Sequence, residues 1–166
     1  MPSPFPPQER VVPVPLERRA ERYGERPLFA AAGVRWSYRD AVRVAAGYGS
    51  ALLEAGIRAG DRVALLCGNR AEFMQAFLGC AWIGAVAVPI NTASRGAQLR
   101  HTPLNSGPRL LVAEATFIEA VRALDAGELP LEKTWLVGDA SDAGLASGSL
   151  PGTVAFPPPG KPSEEA

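Results

Sequence analysis

The residues able to do chemistry in this chain are few and scattered. His101 is the only histidine, and the two cysteines, Cys67 and Cys80, both lie inside apolar runs. A tetrahedral metal site needs several such donors at ligand spacing. With no second histidine and both thiols in core segments, none can be assembled, and His101 reads as a surface or helix-end residue. No G-x-S-x-G elbow offers a hydrolase nucleophile. No G-x-G-x-x-G follows the first strand either, since Gly47 and Gly49 fall within a helical stripe. The Gly-Lys pair in PPPGKPS is disarmed by its neighbours. A phosphate cradle works through consecutive backbone N–H groups, whereas Pro157, Pro158 and Pro159 have none and Lys161 is followed by another proline. That segment reads as linker.

Charge and composition narrow the classes further. Lys plus Arg equals Asp plus Glu at 17 each, a formal net charge of zero. No basic stripe of the kind that neutralises phosphate backbones is visible, so no nucleic-acid partner is expected. Hydrophobic residues at 47% and charged residues at 20% of 166 positions suit one soluble domain with a buried core. Buried thiols fit a reducing compartment, and a cytoplasmic location is expected. The N-terminal MPSPFPPQERVVPVP has no basic segment followed by an apolar one, so no signal peptide is expected. Its prolines favour an extended lead-in over residues 1–14. Residues 139–166, rich in Ser, Gly and Pro, read as a linker or disordered tail.

Between those ends, helix and strand signals alternate. LERRAERYG (16–24) is a short charged helix stopped by Gly24, and PLFAAAGVRW folds as a hairpin about Gly33. Ser37 and Asp40 form a capping-box-like helix start. Behind them Tyr38, Ala41, Val42, Ala45, Tyr48, Leu52 and Leu53 recur at helical spacing, up to a left-handed C-cap at Gly56. Gly60-Asp61 turns into RVALLC (62–67), apolar on both faces like a central parallel strand. A short helix over 94–105 must bend or end at Pro103. RLLVA (109–113) is a strand, TFIEAVRALDAG (116–127) an amphipathic helix ended by Gly127, and TWLVG (134–138) the last strand. The pattern predicts an α/β fold with a mostly parallel sheet and flanking helices.

EFMQAFLGCAWIGAVAVPIN (72–91) raises the question of a membrane span, which needs about 20 uninterrupted apolar residues. Gly84 and Pro89 divide this one. Before Gly84, Phe73, Met74, Phe77, Leu78, Ala81 and Trp82 repeat at three and four. After it AVAVPI is β-branched, with Val86 and Val88 alternating. A buried helix–turn–strand is expected, not a span.

Several segments taken in order resemble a known superfamily. W-S-Y-x-D opens the first long helix at Trp36, Ser37, Tyr38 and Asp40. G-D-R-V-A-L runs from Gly60 to Leu65, followed by N-x-x-E-F at Asn69, Glu72 and Phe73. G-A-V-x-V-P-x-N then occupies Gly84, Ala85, Val86, Val88, Pro89 and Asn91. Across residues 15–138 this series resembles the N-terminal subdomain of the adenylate-forming (AMP-binding) ligases, most of all the acyl-CoA synthetases. PINTASRGAQL looks most like ligases acting on carnitine-type or related acyl acids.

The resemblance implies a carboxylic acid substrate, with ATP, Mg²⁺ and coenzyme A for a full-length relative. In that family a Thr/Ser/Gly-rich phosphate loop and its partners lie further along, and none occurs in these 166 residues. The chain therefore reads as an incomplete fold, inactive alone and binding none of these cofactors tightly. Exposed faces invite self-association. Ligases of this type often carry an arginine two residues after the P-x-N asparagine, able to meet a coenzyme A phosphate. Ala93 stands there, and Arg95 is the nearest arginine that could substitute. A stand-alone scaffold without catalysis is the alternative.

Overall fold

The computed structural model describes residues 11–31, 33–124, 129–139 and 150–158. Helix α1 (Pro13–Tyr23) begins three residues before the predicted start. Pro13 and Pro15 fall in its first turn, where an N–H has no helical partner and its absence costs nothing. Strands β1 (Pro27–Ala31) and β2 (Val34–Ser37) form the antiparallel hairpin, with Phe29 stacked on Trp36 at 4.5 Å. Helix α2 (Tyr38–Glu54) follows at once. Its capping box is closed both ways: Ser37 Oγ accepts from the Asp40 N–H at 3.1 Å, and Asp40 Oδ2 accepts from the Ser37 N–H at 2.9 Å. Two orphan donors of the first turn are thereby satisfied.

The main sheet contains β3 (Arg62–Leu66), β4 (Val86–Pro89), β5 (Leu110–Glu114), β6 (Lys133–Val137) and β7 (Thr153–Ala155), in the order β4-β3-β5-β6-β7 with every pairing parallel. Successive side chains point to opposite faces, so one strand feeds two cores. Val63, Leu65, Val112, Trp135 and Val137 pack on the side of α2 and α3 (Ala71–Ile83), against Leu52, Ala76 and Cys80. Ala64, Leu66, Leu111, Ala113 and Leu136 pack on the opposite side, against Leu99 of α4 (Gly96–Ser106) and Ile118 and Val121 of α5 (Ile118–Arg122). The predicted α/β class holds.

Several expectations change in detail. TWLVG is not the last strand: β7 lies inside the Ser/Gly/Pro-rich segment. It is anchored by a hydrogen bond from the Phe156 N–H to the Leu136 carbonyl at 2.7 Å and by the Phe156 ring against Tyr48 and Trp135. Three strand residues are too few to stand out from such a composition. Gly127 and Lys161 lie outside the described residues. Helix α5 is only five residues long and is entered through a 3-10 turn, Ala115–Phe117. Helix α4 neither stops nor breaks at Pro103; it runs to Ser106, with Pro103 buried. The proline removes one amide donor, while the Ser106 hydroxyl donates to the Thr102 carbonyl at 2.7 Å and Gly107 closes the end in a left-handed cap.

The stretch from Phe73 to Ile90 folds as expected, a helix turned by Gly84 (φ +74°) into a strand. Among the described residues no helix is long and apolar enough to cross a membrane. Which face of α3 meets the sheet differs from the pattern. Ala71, Ala76, Gly79 and Cys80 are the buried positions, while Phe77 is exposed and Met74, Leu78, Ala81 and Trp82 are only part-covered. Small residues win the inner face because α2 crosses very close. A Cβ on Gly79 would lie 2.8 Å from Tyr48 Cβ, and one on Gly49 2.9 Å from Trp82 Cδ1. The same crossing buries Gly47, Gly49 and Ala51 of α2 and leaves Leu53 exposed.

Candidate functional site

In an open parallel sheet, ligands favour the crevice beyond the carboxyl ends of two strands whose connections leave in opposite directions. Here that switch point lies between β3 and β5, since the chain leaves β3 for β4 on one side and returns to β5 on the other. The crevice is closed by the protein's own charges. Glu114, at the end of β5, accepts from the Gly68 N–H at 3.1 Å and from Arg70 Nη1 at 3.1 Å. Arg70 also grips Glu72 through Nε at 3.2 Å and Nη2 at 3.1 Å, a bidentate fork. Burial pushes the Glu72 carboxyl up, but hydrogen bonds from Arg70 and from its own backbone, with the charge of Arg70, outweigh it and leave the group below its ordinary range.

This clasp does not fit a triphosphate. The Gly68 amide is spent on Glu114, and a carboxylate stands where a phosphate would need donors. Among the described residues no group of three or more His, Cys, Asp or Glu could hold a metal ion. Cys67 lies just beneath, its thiol 3.8 Å from the Val112 carbonyl. Burial, then the charge of Glu114, push that thiol up to about 12, and burial does the same to Cys80. Neither is a nucleophile at neutral pH.

The loop after β4 borders the same edge. Asn91 Oδ1 accepts from the Ala93 N–H at 2.9 Å, an Asx turn that uses Ala93 as backbone only. Arg95 is exposed at the start of α4, and its Nη1 donates to the carbonyls of Thr92 at 2.6 Å and Ser94 at 2.7 Å. It braces its own loop. His101 is exposed on α4, away from any cluster.

The amino edge of the sheet is structural. Arg62 donates to the carbonyls of Ser106 at 2.9 Å and Gly107 at 3.0 Å, and Lys133 to that of Ala55 at 2.7 Å, closing the carboxyl ends of α4 and α2. Arg109 forks onto Glu132 at 2.8 Å and reaches Asp61 at 2.6 Å. The backbone N–H of Arg58, then Arg109, hold the Asp61 carboxyl below its ordinary range.

The motif N-x-x-E-F singled out Glu72 but missed its partner Arg70 and the Glu114 that Arg70 also binds. They lie 44 positions apart along the chain, and the only available signal was a carboxylate at the carboxyl end of an otherwise apolar strand.

Comparison with known proteins agrees with this architecture. The AMP-binding enzyme family matches residues 16–163, past the boundary that composition drew at residue 138. A feruloyl-CoA synthase of an Amycolatopsis species is 35% identical over 97 residues, which are 58% of this chain and 20% of that protein. A crotonobetaine/carnitine–CoA ligase of Salmonella paratyphi A is 41% identical over 85 residues, 51% of this chain and 16% of that one. A solved fatty acyl-CoA synthetase of Mycobacterium tuberculosis superposes with TM-score 0.66 at 31% identity, covering 82% of this chain and 28% of its own. The match thus spans about a fifth of the length of the curated relatives. With strand order, motif series and family match in agreement, this chain belongs to the AMP-binding enzyme family.

Proposed function

We propose that this chain is the front layer of an ATP-dependent acyl-CoA ligase of the cytoplasm, one that activates a carboxylic acid as its acyl-adenylate, and that it is inactive alone. The observation that carries the second half is the closed switch crevice, where Glu114 takes the Gly68 amide and Arg70 is spent on two carboxylates. The similarity to coenzyme A ligases of several acids supports the first half. In the complete reaction a carboxylate oxygen attacks the α-phosphorus of ATP and pyrophosphate leaves; the coenzyme A thiolate then attacks the acyl carbon and AMP leaves. This layer's part is to hold the sheet and one wall of the cleft. Within it, Arg95 takes the coenzyme A phosphate contact that Ala93 cannot make.

Incubation of the chain with MgATP, labelled pyrophosphate and a panel of acids is expected to show no exchange. Grafting residues 16–163 in place of the matching segment of the Mycobacterium tuberculosis enzyme is expected to retain acyl-CoA formation. In that graft Arg95→Ala should raise KM for coenzyme A and leave KM for ATP unchanged. Exchange by the isolated chain, or a folded graft without activity, would overturn the proposal.

A further inference from the structure

Helix α1 sorts its charges by side. Glu17 and Glu21, one turn apart, line a groove with Arg39 and Arg43 of α2, and Glu25 accepts from Arg39 Nη1 at 3.3 Å. The acids of this segment are thereby turned toward the cations of α2. Arg18, Arg19 and Arg22 are exposed on the other side. With Pro15 and Tyr23 they line a recess that no carboxylate borders among the described residues. Arg22 and Arg26 both lie over the Tyr23 ring, at 5.3 and 5.7 Å, and that ring rests on Tyr38 at 5.0 Å. The two guanidiniums are thus held in place at the surface. This cationic recess runs into an apolar one lined by Val12, Leu16, Leu28 and Tyr38, with Arg19 shared between the two. Val11, Val12 and Leu28 stand 51%, 38% and 43% exposed, so large apolar side chains project beside the arginines.

We infer that this corner of α1 and the β1 hairpin is a peripheral docking surface for an anionic phospholipid bilayer. The inference goes beyond the ligase reading and does not depend on it. Charge complementarity selects the sign of the partner. The chain has a formal net charge of zero, so the attraction comes from the local segregation of arginines and not from bulk charge. Guanidinium groups are weakly hydrated and match phosphate oxygens, and each cation beside an anionic leaflet adds to the attraction. The apolar side chains select the kind of partner. A nucleic acid would satisfy the arginines but leave Val11, Val12 and Leu28 in water. A bilayer offers phosphate at its surface and hydrocarbon beneath. Apolar side chains below the headgroups with arginines at their level is how interfacial segments divide the task.

The test is flotation of the full chain with phosphatidylcholine vesicles, with and without about 30% phosphatidylserine, in about 0.1 M salt. Binding is expected to the anionic vesicles and not to the neutral ones, and should fall about tenfold in about 0.5 M salt. Arg19→Gln and Arg22→Gln should each lower partitioning about fivefold, and Leu28→Gln about threefold. Arg100→Gln, exposed on α4 across the sheet, should leave it unchanged. Circular dichroism of all four variants should match the parent chain, since these side chains lie at the surface. No binding to anionic vesicles, equal binding to neutral ones, or an equal loss with Arg100→Gln would overturn the inference. So would retention on immobilised polyglutamate that Leu28→Gln leaves intact and anionic vesicles fail to displace, since the partner would then be an acidic protein.

Discussion

Helices α2 and α3 lie side by side on one face of the sheet and meet burial in opposite ways. Helix α2 buries Ala41, Ala45, Tyr48 and Leu52, and turns Arg39, Arg43 and Glu54 to water. It is amphipathic in the ordinary manner of a surface helix. Helix α3 also buries small residues inward, but puts Met74, Phe77, Leu78 and Ala81 outward. Apart from Leu53, the large apolar side chains of α2 lie inward. Helix α3 leaves its large side chains part-covered, with Phe77 exposed, and the contrast separates small residues chosen by a close crossing from large ones that the crossing leaves outside.

Their crossing offers the largest test of that contrast. Gly79→Ala places a methyl 2.8 Å from Tyr48 Cβ and 2.9 Å from the Tyr48 backbone carbon, so the helices must part. The expected loss is about 1–3 kcal/mol in urea unfolding. Phe77→Ala, on the outward face of the same helix, should stay within about 0.5 kcal/mol. Next comes the switch-point clasp. Glu114→Ala leaves the Gly68 amide and Arg70 Nη1 without their acceptor and should cost about 1–2 kcal/mol by the same measurement. A smaller effect belongs to α2's own start. Ser37→Ala opens the capping box and should cost about 1 kcal/mol.

Acid should give the smallest effect. The backbone N–H of Ser37 leads the causes that hold Asp40 below its ordinary range; Asp61 is held down by the Arg58 amide and Glu132 by Arg109. Glu72 is depressed as well. Because each folded value is depressed, the stabilisation is complete above the unfolded values, 3.8 for aspartate and 4.5 for glutamate. It is lost as pH falls through the lower folded values. Thermal scans should therefore be flat from neutral pH down to about 5 and decline below that. Glu132 is exposed and the other three are only half-buried, so the decline should be shallow.

Much of the layer was legible in the sequence because local signals were strong. Gly56, Gly60 and Gly84 marked turns with positive φ, Ser37 and Asp40 marked a helix start, and the two-sided apolar runs marked central strands. What stayed hidden depended on partners distant along the chain. β7 is defined by its parallel pairing with β6, which no local composition announces. The inner face of α3 was misread for a related reason: hydrophobic spacing found the large stripe, while the closeness of α2 reserved the core for glycine and alanine. Of the site, Glu72 and the loop from Asn91 to Arg95 could be read from motifs. The clasp could not, since Arg70 and Glu114 meet only once two strands are paired.

The direct measurement is paired thermal unfolding of Ala76→Glu and Leu78→Glu in the full chain. Ala76 is 0% exposed, and a carboxylate there should abolish cooperative folding, while Leu78→Glu should leave Tm within about 2 °C of the parent. Equal collapse of both variants would show that the large stripe of α3 is already buried, and would contradict the account.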